Sequence, residues 1–170
     1  MGSSNISMLH RTCTTSKGDE CYTPVEAIEP LLPYLSKENI IYEPTSGKSS
    51  SIVDYLQAQG LKVSSSGDKD FLNDELPDFD VIVTNPPYSK KDKFINKCYT
   101  LGKPFALLLP VSAIQGKFRG NLFNKYGIEL LVLNSRVDFT GKGSPHFGVA
   151  WFCWKLLPEK LIFINNKLGK

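Results

Sequence analysis

The segment at residues 85–88, Asn-Pro-Pro-Tyr, combines groups that can hold an amine, and it closes an apolar stretch that begins at Phe79. The consecutive prolines, Pro86 and Pro87, fix the backbone and remove two N–H donors, so the segment is a stiff loop of acceptors. The side-chain oxygen of Asn85 and the carbonyl oxygen of Pro86 can together accept both hydrogens of one NH2 group. The ring of Tyr88 offers a flat face to an aromatic base.

This combination suits methylation of a conjugated amine. The exocyclic amine of adenine, like a carboxamide, delocalises its nitrogen lone pair and is a poor nucleophile. Two acceptors that hold its hydrogens favour a pyramidal nitrogen with its lone pair aimed at an electrophilic methyl group. Catalysis would then consist mostly of orientation and preorganised dipoles. The alternative is a strand followed by a proline turn, in which Tyr88 only packs.

The predicted elements place this segment at the carboxyl end of a strand. Strands are predicted at residues 39–44, 61–66, 79–85, 104–110 and 128–134, and helices at 50–60, 90–100 and 118–126 lie between them. This alternation is typical of an α/β fold with a doubly wound, mostly parallel sheet. Ligands of such sheets bind beyond the carboxyl ends of the strands.

Two further local predictions concern the ends of the chain. Thr23 is expected to cap a first helix together with Glu26, and Pro30 and Pro33 should make that helix short or break it in two. The segment 148–165 offers two strands joined by a Leu-Pro-Glu-Lys link, too short for a crossover helix. We therefore expect the sheet to end in an antiparallel hairpin.

The sequence resembles the amino-methyltransferases of the NPPY type, which are class I S-adenosylmethionine-dependent enzymes with a Rossmann-like methyltransferase fold. The closer resemblance is to small phage and prophage adenine-N6 methyltransferases. It rests on the segments DECYTP, YEPTSGKSSSIV, DFL, DVIVTNPPYS, KPFALLLP and GVAWFCW, in this order. It implies S-adenosyl-L-methionine as cofactor, with Asn85, Pro86, Pro87 and Tyr88 holding the target amine and base.

The resemblance also implies a set of cofactor-binding residues. Glu43, Pro44 and Gly47 match the loop E/D-P-x-x-G-x-G, although Ser49 replaces the last glycine. Thr23 and Pro24 match a segment that lies over the methionine end of the cofactor, and a helix cap explains them equally well.

Residues 43–50 admit two other interpretations. A phosphate-binding P-loop is one, but Tyr42 stands where its first glycine should be. The other is a plain helix start capped by Ser49 or Ser50.

The ribose and adenine of the cofactor require residues after the second strand. The acid expected there about 20 residues beyond the glycine loop is replaced by serines at 64–66, which leaves Asp68 as the candidate. Asp70 and Phe71 match a pair in which the aspartate accepts from the adenine amine and the phenylalanine stacks. The alternative is a solvated aspartate and a core phenylalanine.

Basic and aromatic residues suggest the substrate. Lys90 and Lys91 follow the tetrapeptide at the start of a helix, where an anion such as a phosphate beside an extruded base would balance them. A solvated lysine face is the alternative. By the resemblance, the loop before the last strands supplies an aromatic side chain that grips the base, and Phe139 and Phe147 are the candidates.

Composition sets the frame for these residues. The 170 residues are 41% hydrophobic with a net charge of +3, which fits one globular domain and permits a nucleic-acid partner. We expect a mobile leader at 1–20 and a single methyltransferase domain at 21–170. The four cysteines lack metal-site spacing, so we expect reduced thiols in a cytoplasmic protein, with Cys98 and Cys153 buried. Neither a membrane span nor a signal peptide is predicted.

Together these features predict methylation of an exocyclic amine, with adenine N6 of DNA favoured over RNA. Two alternatives are a protein-glutamine methyltransferase and a methyltransferase-fold binding module without turnover. Because the chain has no space for a separate recognition domain, we expect sequence readout to be short, supplied by loops, or supplied by a protein partner.

Overall fold

The protein is described by a computed structural model that covers residues 22–47, 50–139 and 147–164. These residues form one seven-stranded sheet with the strand order β2-β1-β3-β4-β6-β5-β7. Every strand runs in the same direction except β6, which is antiparallel to both of its neighbours. The strands are β1 (Ile40–Glu43), β2 (Lys62–Ser65), β3 (Val81–Thr84), β4 (Phe105–Pro110), β5 (Glu129–Leu133), β6 (Val149–Trp154) and β7 (Leu161–Ile164).

In the described residues, four α-helices cover the sheet. They are α1 (Val25–Ile28), α2 (Ser51–Ala58), α3 (Lys91–Leu101) and α4 (Lys117–Tyr126). α1 and α2 contribute to one hydrophobic cluster, and α3 and α4 pack on the other. Successive residues of β1, Ile41 and Tyr42, belong to different clusters, as expected for side chains that alternate between two faces. The predicted α/β fold with a mostly parallel, doubly wound sheet is confirmed.

The predicted hairpin at the end of the chain is wrong. β6 pairs with β4 on one side and with β5 on the other, while β7 pairs in parallel with β5. The carboxylate of Glu129 accepts from the backbone nitrogens of Leu156 and Leu157 at 3.0 and 2.8 Å, and this holds the link between β6 and β7 beside the start of β5. The link is therefore long enough to pass β5. The almost fully buried β6 lies inside the sheet, and the half-exposed β7 forms its margin.

The predicted cap of the first helix is also wrong. α1 has Pro24 in the capping position and no side-chain cap. The helix thus begins too late for Thr23 to reach its first turn, and the hydroxyl of Thr23 binds Asn85 instead. The prediction of a broken helix is confirmed, since α1 continues as a 3-10 helix at Glu29–Tyr34 that contains both prolines.

The remaining local predictions concern helix α2, the cysteines and the membrane. The side chain of Ser50 caps α2 by accepting from the backbone nitrogen of Val53 at 3.1 Å. Cys98 and Cys153 are buried as predicted, and burial raises the pKa of both thiols. Among the described helices, none is long and apolar enough to cross a membrane. Residues 1–20, with the predicted leader, as well as Ser49, lie outside the described residues.

Candidate active site

The carboxyl ends of the neighbouring strands β1 and β3 meet at a buried carboxyl group. Glu43, the last residue of β1, is only 1% exposed. Its Oε1 accepts from the hydroxyl of Thr84 at 2.5 Å, and from the backbone nitrogen and hydroxyl of Thr45 at 3.0 and 2.9 Å. The hydroxyls of Thr45 and Thr84 lie 2.8 Å apart. The acid of the predicted cofactor loop is thus tied to the strand that leads into the tetrapeptide.

Burial determines the electrostatics of this carboxyl group. Desolvation raises the pKa of Glu43, and the hydrogen bonds from Thr84, Thr45 and Ser50 act in the opposite direction. A cation beside Glu43 would offset the cost of burying its charge. Glu43 is therefore suited to bind an ammonium group.

Serines hold the loop after β1. Ser66 accepts from the backbone nitrogen of Gly47 at 3.0 Å and donates its own backbone N–H to the hydroxyl of Ser46 at 2.9 Å. Ser46 in turn donates to the carbonyl of Glu43 at 3.0 Å. Gly47 has φ +55°, which favours glycine, and a Cβ at this position would meet none of the described atoms beyond its chain neighbours within 4 Å. The loop backbone is therefore open to a ligand on one side.

Ser66 occupies the place where a ribose-binding acid was sought, directly after β2, and it is buried. The Ser66 hydroxyl accepts a hydrogen bond from the loop after β1, at the backbone nitrogen of Gly47. Asp68 lies two residues further on and is exposed. A role for Asp68 toward a ribose stays a prediction.

Asp70 and Phe71 lie in different environments. The carboxylate of Asp70 accepts from the backbone nitrogen of Leu72 at 2.9 Å and from the side-chain nitrogen of Asn73 at 2.6 Å, and these two bonds lower its pKa. Phe71 is buried, with its ring centroid 4.9 Å from that of Phe94. This describes a turn-forming aspartate and a core phenylalanine. Contacts of either residue with a cofactor stay a prediction.

The tetrapeptide begins with an oriented amide. The side-chain nitrogen of Asn85 donates to the hydroxyl of Thr23 at 3.0 Å, and Thr23 is buried. Because the amide nitrogen points at Thr23, the amide oxygen is directed to the other side. Pro86 is buried, Pro87 is half-buried, and neither peptide bond is cis. The stiff acceptor loop predicted from the two prolines thus has a fixed first side chain.

Three aromatic rings lie together at the tetrapeptide. Phe147 meets Tyr88 edge to face with centroids 5.9 Å apart, and it stacks with Phe139 at 6.3 Å. Phe147 is exposed, whereas Phe139 is half-buried and packs against the core. The structure therefore brings Phe147 into contact with Tyr88, and Phe139 lies next to Phe147.

The predicted substrate lysines begin α3. Lys91 donates from Nζ to the carbonyl of Tyr88 at 3.2 Å, and Lys90 is exposed. Further along α3 lies a groove of about 410 Å³ lined by Leu72, Asn73, Lys93, Asn96, Lys97 and Thr100. In the described part of the chain, no carboxylate forms an ion pair with either lysine of the groove.

Thr45 and Thr84 were missed by the sequence analysis. The signal available was their position, since each is a polar residue at or just after the carboxyl end of a strand. Their partnership depends on the pairing of β1 with β3, which the sequence does not give directly.

Comparisons with known proteins show the fold. Neither a protein-family model nor a curated protein matches the chain. A solved structure described as "a modification subunit of a putative type I restriction enzyme" from Vibrio vulnificus YJ016 is similar, with a TM-score of 0.54 and 12% identity over 92% of this chain. This chain spans 49% of that protein, about half its length. A second, described as "a predicted O-methyltransferase, protein Atu636" from Agrobacterium tumefaciens, has a TM-score of 0.42 and 12% identity, covering 80% of this chain and 83% of that protein.

Proposed function

We propose that this protein transfers a methyl group from S-adenosylmethionine to adenine N6 in nucleic acid, with DNA favoured over RNA. The observation that carries the proposal is the hydrogen bond from Asn85 to Thr23. It directs the amide oxygen of Asn85 away from Thr23, at the end of a strand where ligands of α/β sheets bind. An oriented acceptor followed by two prolines is what the binding of a conjugated amine requires.

The residues around β1 fit the methyl donor. Glu43 is a buried carboxyl group suited to an ammonium group, and the open side of Gly47 allows a ligand to approach the backbone. Pro44 follows Glu43 in the loop, and Thr23, next to Pro24, contacts Asn85. Thr23 and Pro24 are the candidates for the methionine end of the cofactor, and Asp68, Asp70 and Phe71 are those for its ribose and adenine. When bound, S-adenosylmethionine supplies an electrophilic methyl group on a sulfonium centre.

The tetrapeptide contributes to the reaction by orienting the target amine. The amide oxygen of Asn85 and the carbonyl oxygen of Pro86 accept the two hydrogens of the target amine and favour a pyramidal nitrogen. Tyr88 stacks on the base, and the edge contact from Phe147 supports the Tyr88 ring. No general base would be needed before the attack, because the neutral amine is the nucleophile. As the bond from its nitrogen to the methyl carbon formed, the carbon–sulfur bond would break to leave a thioether, and the methylated amine would then lose one proton to solvent.

Charge supports a nucleic-acid substrate. Lys90 and Lys91 flank the tetrapeptide, and Lys93 and Lys97 line the groove on α3. None of these four lysines forms an ion pair in the described residues, although the charges of Lys90 and Lys97 help to lower the pKa of Asp70. Such a group of cations suits a phosphate backbone. The structural neighbour described as a restriction-enzyme modification subunit favours DNA over RNA.

A labelled-methyl assay tests the proposal. Purified protein is incubated with labelled S-adenosylmethionine and, in separate reactions, with DNA, RNA or a protein extract, and the products are digested to nucleosides or amino acids. We expect label in N6-methyladenosine nucleosides, more from DNA than from RNA. Label in methylglutamine would instead assign a protein substrate. Calorimetry that shows no binding of the cofactor or its demethylated product would assign a binding module without turnover.

A further inference from the structure

An exposed apolar surface lies beside the tetrapeptide. In the described residues, eight large apolar side chains are exposed, and four of them lie in this region: Val111 (47%), Ile114 (38%), Phe118 (49%) and Phe147 (43%). Clustered apolar exposure on a folded domain marks an interaction site more often than scattered single residues do. We call the first three of these residues the 111–118 surface.

The 111–118 surface is continuous with the tetrapeptide. The backbone nitrogen of Val111 donates to the carbonyl of Gly148 at 2.9 Å. Gly148 directly follows Phe147, whose ring contacts Tyr88. Val111 and Ile114 lie in one 3-10 turn at Val111–Ile114, where side chains three residues apart are eclipsed and project from the same side.

Arg119 holds this surface in place. Its guanidinium donates to the carbonyls of Ala113, at 2.7 Å, and of Gln115, and it pairs with Asp92 of α3 at 2.7 Å. Gly116 leaves space for this arrangement, because a Cβ there would lie 2.7 Å from the Arg119 Cζ. The arginine side chain is 13% exposed. Val111 and Ile114 are therefore exposed on a turn that Arg119 holds against α3 and α4.

The charge of this region identifies its partner. Residues 111–128 contain Lys117, Arg119 and Lys125 and no aspartate or glutamate. Arg119 is paired with Asp92, but Lys117 and Lys125 form no ion pair in the described residues. Apolar side chains beside these two lysines suit a polyanion with flat apolar faces, as unstacked nucleic acid is. Extruding a base exposes the faces of its neighbours, and apolar side chains can cover them.

We propose that the 111–118 surface binds the nucleotides that flank the target base, with Phe118, Val111 and Ile114 against exposed base faces and Lys117 near a phosphate. This inference rests on the proposed function and assigns further substrate contacts to the same site.

The test compares two exposed phenylalanines, Phe118 at the start of α4 and Phe163 on the edge strand β7. Phe118→Ser removes the ring from the 111–118 surface, and Phe163→Ser removes the 71% exposed ring of β7 as a matched control. Affinity for a fluorescent single-stranded oligonucleotide is measured by anisotropy, alongside cofactor affinity and thermal stability. The double variant Val111→Ser, Ile114→Ser and the conservative variant Phe118→Trp complete the set.

We expect Phe118→Ser and the double variant to weaken oligonucleotide binding about tenfold, with cofactor affinity unchanged, since each removes apolar contacts with base faces. Phe118→Trp and Phe163→Ser should match the wild type. If wild-type protein binds and methylates the oligonucleotide while Phe118→Ser binds equally well, this inference fails and the proposed function stands. If wild-type protein binds cofactor but no nucleic acid, both fail. Equal weakening by Phe163→Ser would show a nonspecific loss and overturn the inference.

Discussion

Asn85 and Thr23 are joined by a 3.0 Å hydrogen bond from the amide nitrogen to the threonine hydroxyl, across 62 residues of sequence. The bond links the segment before α1 to the loop after β3. If the Asn85 amide were rotated by 180°, its nitrogen rather than its oxygen would face the target amine. Two donors would then face each other, and no hydrogen bond could form between them. Thr23 therefore acts as a positioning residue for Asn85 in the proposed reaction.

Thr23→Val should reduce the rate of methyl transfer about tenfold to a hundredfold. Valine keeps the shape of threonine but removes the acceptor, so the Asn85 amide is free to rotate, and small misorientations of reacting groups are costly. The measurement is kcat together with cofactor affinity by calorimetry. Thr23→Ser, which keeps the hydroxyl, should retain most of the rate. If Thr23→Val lost only cofactor affinity and kept kcat, the positioning role would be excluded.

Glu43→Gln should stabilise the protein at neutral pH and weaken cofactor binding. Burial raises the pKa of Glu43, so the carboxyl group contributes stability below its unfolded-state pKa, and this contribution is lost as the pH rises through the folded-state pKa. Glutamine is neutral throughout and can still accept from Thr84 and Thr45.

The check is thermal unfolding of both proteins from about pH 4, near the ordinary pKa of glutamate, to pH 8. The gain in melting temperature from Glu43→Gln should grow with pH and then level off. A gain that is larger at low pH than at high pH would contradict the assignment. Calorimetry at pH 8 should show the loss of cofactor affinity.

Phe147 and Phe139 should differ in what their removal costs. Phe147 is exposed and touches Tyr88, so Phe147→Ala should raise KM for nucleic acid about tenfold and leave stability nearly unchanged. Phe139 packs against the core, so Phe139→Ala should cost about 1–3 kcal/mol of unfolding free energy. Denaturant unfolding and steady-state kinetics on both variants distinguish the two roles. An unchanged KM for Phe147→Ala would remove it from the substrate site.

Local patterns predicted most of the elements. The unbroken apolar runs became β3 and β4, and Gly127, with φ +85°, ends α4 where the pattern placed its end. The last two strands show the limit, because their short link favoured a hairpin. Their actual partners depend on the burial of β6 and on the backbone contacts of Glu129, which are properties of the assembled sheet.

Only part of the candidate site was predicted, because several of its contacts also depend on the assembled sheet. The residue types of the tetrapeptide were enough to identify an acceptor loop. The bonds of Thr23, Thr84 and Ser66 join residues that are distant in sequence, and only the folded sheet brings them together. The sequence around Thr23 predicts that its hydroxyl caps α1. In the folded protein the hydroxyl instead accepts from the side chain of Asn85, which is distant in sequence.

The most direct test of the account is Asn85→Ala, with Asn124→Ala on the exposed surface of α4 as a matched control. Methyl transfer to adenine in DNA and binding of S-adenosylmethionine are measured for both variants and the wild type. We predict that Asn85→Ala lowers kcat at least about a hundredfold, the scale of removing one preorganised hydrogen-bonding group, while it still binds the cofactor and Asn124→Ala behaves as wild type. Transfer by Asn85→Ala at the wild-type rate would contradict the account.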